Sequence, residues 1–308
     1  MMQIITNAML WVDIFFLLSG FLCAYSVLRE VKQTSVRKYA GNILWKIIHR
    51  YIRLTPSLMA MIGFSIILEV MSSGPHWYQY IDLSQQSCHK KWWINILYVT
   101  NIPSVYTSLT EICLVHTWYL SADMQMFIVS PIFIILLTCN DIRKQYLGIA
   151  INIVVILASW TIIAINLVNN HAIGINVVII YSTYFWFLGY SYHNFGSVLY
   201  GTIHRTVWSI CWSYILYACA SGRGGIINRI LSWSALVPLS RLSFQIYLFH
   251  FVLVLAIKAA LRQPLYFNSL TMVMLYFSIT VLSLFVSFLA YVMFEIPIAK
   301  IENIIKKK

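Results

Sequence analysis

Val115-His116-Thr117-Trp118-Tyr119-Leu120-Ser121-Ala122-Asp123-Met124-Gln125 opens an apolar run that continues to residue 138. The run exceeds the roughly 20 residues that cross a bilayer core, so it reads as a transmembrane helix. At about 100° per residue, His116, Tyr119, Asp123 and Ser130 fall within a stripe about 60° wide. Ionisable groups are costly in hydrocarbon, so such a stripe faces a protein interior or a wet cavity. It either hydrogen-bonds neighbouring helices and nothing more, or lines a substrate site. An imidazole, a phenol and a carboxylate on one stripe can move a proton, and that favours the second reading.

The rest of the 308 residues repeats the pattern. Hydrophobic residues make up 60% and charged residues 10%, against about 25% charged in a soluble domain; mean hydropathy is +0.78. Apolar spans are expected at 8–28, 54–72, 114–138, 146–168, 176–195, 203–221, 242–261 and 270–294. The span at 54–72 is the weakest, with Pro56 in its first turn and Gly74-Pro75 beyond its end. Trp92 to Ile102 is too short to span, and Trp92, Ile96 and Val99 make one apolar face, as an interfacial or re-entrant helix would. The expectation is an all-α, polytopic helical bundle of about eight transmembrane helices in one membrane domain. No signal peptide is expected at Met1, which an apolar span follows without a basic segment.

The net charge of +12 does not point to nucleic acid. Basic residues sit in short runs beside the spans, as the positive-inside rule predicts. Arg29, Lys32, Arg37, Lys38, Lys46, Arg50 and Arg53 precede the second span against Glu30 alone, which makes that loop cytosolic. The tail with Lys300, Lys306, Lys307 and Lys308 reads as cytosolic too. Eight spans cannot place both there, so a span is miscounted or one is missing between 169 and 241. Cys88 and Cys113 share the loop facing the lumen or exterior, where oxidising conditions favour a bridge over two free thiols. Cys23, Cys139, Cys211 and Cys219 read as packing residues. No zinc-ligand spacing, Walker loop, G-x-G-x-x-G or G-x-S-x-G is present.

Arg50 and Arg53 lie three residues apart in Arg50-Tyr51-Ile52-Arg53-Leu54-Thr55-Pro56, a spacing that aims both guanidiniums one way on a helix and suits phosphate. Ordinary positive-inside charge is the other reading. In Val12-Asp13-Ile14-Phe15-Phe16-Leu17-Leu18-Ser19-Gly20-Phe21, Asp13 and Gly20 share a face, and close helix packing at the glycine is the expected role. Ser243, Tyr247 and His250 form a second hydroxyl–phenol–imidazole stripe. Phe294-Glu295-Ile296-Pro297 is expected to end the last span at its proline.

With Gly224-Gly225-Ile226-Ile227-Asn228-Arg229-Ile230-Leu231-Ser232-Trp233 and Pro238-Leu239-Ser240-Arg241-Leu242-Ser243-Phe244, these segments in this order resemble the membrane acyltransferase-3 family. Within it the chain is most similar to the animal branch called nose resistant to fluoxetine proteins. The resemblance runs from Val12 to Pro297. It implies a multi-pass membrane protein of the secretory pathway or plasma membrane that moves an acyl group from cytosolic acyl-CoA to a hydroxyl-bearing acceptor. Arg50 and Arg53 would then serve the acyl-CoA donor, and His116, Tyr119 and Asp123 would work in the polar interior, with membrane lipid as the surroundings and no metal. Family members usually carry a further span ahead of the Val12-Asp13 segment, with an arginine and a presumed catalytic histidine, and another between Gly189-Tyr190 and Ser197. By that comparison residues 1–308 are an N-terminally truncated domain with slow or absent turnover. Two other readings remain: a protein that binds or transports a lipid or amphiphile without chemistry, and an inactive paralogue.

Overall fold

The computed structural model describes residues 8–33, 36–71, 73–77, 83–102, 113–138, 141–169, 195–263 and 268–307. Among these there is no strand. The helices are α1 (Ala8–Gln33), α2 (Val36–Met71), α3 (Leu83–Ile96), α4 (Trp118–Thr138), α5 (Ile142–Asn169), α6 (Phe195–Ala220), α7 (Gly225–Leu231), α8 (Leu236–Ala260), α9 (Ser269–Ala290) and α10 (Ile296–Lys307). A 3-10 turn, Val115–Thr117, leads into α4, and a π-helical turn, Tyr291–Glu295, joins α9 to α10.

Six helical stretches among the described residues are long and apolar enough to cross a membrane: Val12–Val31, Gly41–Leu68, Val115–Thr138, Ile142–Ile162, Leu236–Ala260 and Leu270–Ile301. The chain is an integral, multi-pass helical membrane protein. The expected span 203–221 falls on α6, a helix of 26 residues. The expected span 176–195 lies outside the described residues but for its last position, and Cys139 lies outside them too.

Three boundaries differ from the sequence reading. The basic stretch 36–53 is no loop: it is the first half of α2, a 36-residue helix that runs through Pro56. Charge hid that helix from a hydropathy window; in the fold Arg50 is paired with Asp123 of another segment, and Arg53 is exposed near Glu295. At the other end, Pro297 does not stop the chain. The helix runs on through the π turn Tyr291–Glu295, whose wider hydrogen-bond spacing accommodates the proline that follows it in α10. In α3 the buried residues are Cys88, Ile94 and Asn95, whereas Trp92 and Trp93 are exposed. Val99 lies beyond its end, so the expected face of Trp92, Ile96 and Val99 does not form.

The chain divides into two compact units, Met1–Ile43 with Met126–Leu231, and Leu44–Gln125 with Ser232–Lys308. In the first, α6 packs on α1 and α5. Cys23, Val27 and Tyr39 are buried against Phe127, Ile134 and Ile135. Cys23 also contacts the Ser130 hydroxyl at 3.3 Å, whereas Cys211 is exposed and does not pack as expected. In the second, α8 and α9 form the main helix pair. Its core gathers Leu58, Met61 and Ile62 of α2 with Leu120 and Met124 of α4 and Leu248, Phe249 and Val252 of α8. Lipid tails are as apolar as leucine, so close packing and interhelical hydrogen bonds hold these helices, at roughly 0.6–2 kcal/mol per bond. Gly74 marks the tightest approach: a Cβ there would stand 2.3 Å from the Ala259 carbonyl oxygen.

Candidate active site

The turn that carries His116 is fixed from several directions, all within the second unit. Cys113, just before it, is bridged to Cys88 on α3, as expected from their shared side. Leu114 adopts the left-handed conformation (φ 55°), which turns the chain into the helix. The Asn95 amide donates to the Cys113 carbonyl at 3.0 Å. Thr117 donates to the Leu114 carbonyl at 2.8 Å and reaches Asn95 Oδ1 at 3.2 Å. Asn95 and Thr117 are both about 1% exposed, so these bonds form away from water. A short polar turn inside a membrane protein needs such partners for its backbone.

His116 then faces α8. Its Nε2 lies 3.0 Å from the Leu248 carbonyl oxygen. A carbonyl only accepts, so Nε2 carries the proton and the neutral ring leaves its lone pair on Nδ1. Nδ1 is buried and has no hydrogen-bond partner among the described residues. The Tyr247 hydroxyl donates to the His116 carbonyl. The His116 ring lies 4.8 Å from Phe251 and 5.9 Å from Tyr247, and Tyr247 lies 5.3 Å from Tyr119. The two stripes read from the sequence therefore meet, with Tyr247 between His116 and Tyr119. His250 lies beside Tyr247 at 6.2 Å and donates Nδ1–H to the carbonyls of Ile246 and Tyr247. Ser243 turns back on its own helix, donating to the Ser240 carbonyl at 2.8 Å.

Asp123 is drawn elsewhere. One turn below Tyr119 on α4, it pairs with the Arg50 guanidinium of α2 and is buried. His116 sits in the preceding 3-10 turn, too far along the axis to share that carboxylate. Arg53 points to Glu295 at 3.6 Å, with its side chain 61% exposed. The two arginines thus differ. Arg50 is an internal counter-ion, and Arg53 stands at the protein surface.

A polar belt surrounds these pairs that the sequence reading did not single out. Thr100 and Ser121 are 2.7 Å apart, Asn101 and Gln125 share amide hydrogen bonds at 2.9 Å, and Gln125 also donates to the Tyr98 carbonyl at 2.9 Å. The Tyr98 hydroxyl meets Thr55 at 3.3 Å, and its ring packs edge-on against Tyr51. Fully buried Gln245 donates to Ser57 at 2.8 Å and to Glu295 at 3.2 Å. Ser121 and Gln125 stand within the opening stretch of sequence, and Gln245 lies two residues before Tyr247. Only their cross-helix partners distinguish them from ordinary polar residues.

Residues 1–222 match the acyltransferase domain of the acyltransferase-3 family. The chain is 26% identical to nose resistant to fluoxetine protein 6 of Caenorhabditis elegans, over 98% of this chain and 46% of the relative. That alignment extends over 384 residues, more than this chain has, so the relative carries segments within the matched region that have no counterpart here. The chain is also 31% identical to regulator of hypoxia-inducible factor 1 from the same organism, over 51% of this chain and 28% of the relative. It therefore spans less than half the length of either curated relative. No solved structure matches it. The ordered motifs, the helical membrane architecture and the match over residues 1–222 place this chain in the acyltransferase-3 family.

Proposed function

We propose that this protein transfers an acyl group from acyl-CoA to a hydroxyl-bearing acceptor at the membrane of the secretory pathway or cell surface. The observation that carries the reading is the state of the His116 ring: Nε2 is held by the Leu248 carbonyl, and the Nδ1 lone pair is buried without a partner among the described residues. A pinned imidazole with a free lone pair has the form of a general base. In the reaction, Nδ1 takes the proton of the acceptor hydroxyl as its oxygen attacks the thioester carbonyl. The C–S bond then breaks, and the departing thiolate of CoA takes the proton from the imidazolium. The phenol of Tyr119, on the same side of α4, supplies a hydrogen bond to the developing oxyanion. Asp123 holds the Arg50 guanidinium in place, and the exposed Arg53 meets the CoA phosphates by charge-assisted hydrogen bonds.

The test is transfer from labelled acyl-CoA to a hydroxyl-bearing lipid by the full chain in liposomes. His116→Ala is expected to lower the rate by about 10²–10⁴, the usual worth of general-base assistance, with acyl-CoA binding retained. Turnover that survives this substitution unchanged removes His116 from the mechanism.

A further inference from the structure

The first unit contains a groove of about 530 Å³ formed by α1 and α6. Asp13, Phe16, Gly20 and Ala24 line it from α1, and Ser209 and Ser213 from α6. The volume falls within the range of small-ligand sites. The α1 positions recur at helical spacing, so they form one continuous face. From Asp13 to Ala24 that face extends about 16 Å at 1.5 Å per residue, roughly half a bilayer core. Asp13 stands toward the N-terminal end of α1, with Gly20 and Ala24 further along the same helix.

Gly20 decides between packing and binding. A small residue that lets two helices touch leaves no room for a Cβ, but among the described residues a Cβ at Gly20 meets nothing within 4 Å. The glycine therefore does not serve the close helix approach expected from sequence; it keeps the groove open. The polar lining is rich in acceptors. Ser213 spends its proton on the Ser209 carbonyl at 2.8 Å, which leaves the hydroxyl oxygen as an acceptor. A carboxylate accepts about four hydrogen bonds, so Asp13 can take one from a ligand beside the contacts it already makes. A hydroxyl head group can donate into these acceptors, whereas an ionised carboxylate head group has no proton to give.

We propose that this groove binds a single-chain amphiphile with a hydroxyl head group, its head at Asp13 and its hydrocarbon chain along Phe16, Gly20 and Ala24. This site is independent of the acyl-transfer reading, because it is measured without any acyl donor. The probe is a long-chain alcohol carrying a diazirine in its chain, added to the full chain in phosphatidylcholine nanodiscs and photolysed, with adducts mapped by mass spectrometry. The expected result is labelling on α1 and α6 that excess long-chain alcohol competes and the fatty acid of equal length does not. Gly20→Leu puts a bulky side chain into the groove from a position where a Cβ meets nothing among the described residues within 4 Å, and it is expected to lower this labelling at least about tenfold. Ser213→Leu, at an exposed position on the facing helix, repeats the test should the first variant fold poorly. Labelling that ignores both substitutions, or that the fatty acid competes as well as the alcohol, overturns the proposal.

Discussion

His116 donates its Nε2–H to the main-chain carbonyl of Leu248, 132 positions further along the chain. A backbone acceptor cannot be removed by changing a side chain, so the tautomer of this histidine is set by how α8 lies against the turn. Tyr247, next to Leu248, adds a second tie by donating to the His116 carbonyl.

Nitrogen-15 histidine spectra of the protein, assigned by comparison with His116→Gln, are therefore expected to show a neutral ring protonated at Nε2. Tyr247→Phe removes one tie and leaves the carbonyl of Leu248 in place, so the same tautomer is expected with a broadened signal. Protonation at Nδ1 in the parent protein contradicts the assignment.

The Arg50–Asp123 pair links α2 and α4 in a site where Asp123 is buried. Asp123→Asn leaves the guanidinium without its counter-charge, and a loss of about 3 kcal/mol is expected, the low end for a broken buried pair because Arg50 is partly exposed. Replacing both together, Arg50→Met with Asp123→Leu, is expected to recover most of it. Unfolding free energies for Arg50→Met, Asp123→Leu and the double variant measure the coupling as a double-mutant cycle.

Arg53 is expected to behave differently from its neighbour. Its exposed guanidinium makes a screened contact with Glu295, so Arg53→Ala should leave stability within about 0.5 kcal/mol. The same change is expected to weaken acyl-CoA binding by up to about tenfold, or about 1.4 kcal/mol, and Arg53→Lys to recover part of it. Equilibrium binding of a non-transferable acyl-CoA thioether provides the measurement.

Removing the Cys88–Cys113 bridge frees a loop closed across 25 positions. Cys88→Ser with Cys113→Ser is expected to cost about 2–4 kcal/mol. The turn at His116 should loosen first, since Asn95 binds the Cys113 carbonyl itself. Hydrogen exchange at the Thr117 and Trp118 amides, faster than elsewhere in α4 after the substitution, checks the local effect.

Tyr98 gives the protein an alkaline limit. Burial of its phenol, with a smaller opposing effect from the Thr55 hydrogen bond, pushes its pKa up to about 12 from the usual 10. Above pH 10 the unfolded chain releases this proton and the folded chain does not, so stability present below pH 10 is lost as pH rises toward 12. The expected loss is about 2–3 kcal/mol from two pKa units. Tyr98→Phe keeps the ring against Tyr51, lacks the ionisable hydroxyl and is expected to show a shallower decline over that interval. Equal declines in the two proteins assign the limit to another group.

Much of the architecture is written in residue type alone. Long apolar runs with few charges are helices because the bilayer leaves the backbone no other way to satisfy its hydrogen bonds, and α1, α5, α8 and α9 lie close to where composition puts them. The chemistry-bearing residues of the opening stretch were legible for a related reason: His116, Tyr119 and Asp123 are conspicuous in an apolar run, since hydrocarbon tolerates them only with partners. Which partners they have was not legible. Helical spacing puts His116, Tyr119 and Asp123 on one stripe, but tertiary contacts send Asp123 to Arg50 on α2 and His116 to the backbone of α8. The start of α2 was hidden in the same way. Arg50 looks like loop charge in one dimension, and is held inside a helix where Asp123 approaches from a distant segment. Gly20 carries the same lesson in reverse, because a glycine on an apolar face reads alike whether a second helix or an open groove lies opposite it. Sequence fixes what each residue can do, by its charge, size and polarity, whereas only the fold brings together groups from separate segments, and those meetings set the tautomers, ion pairs and cavities on which function depends.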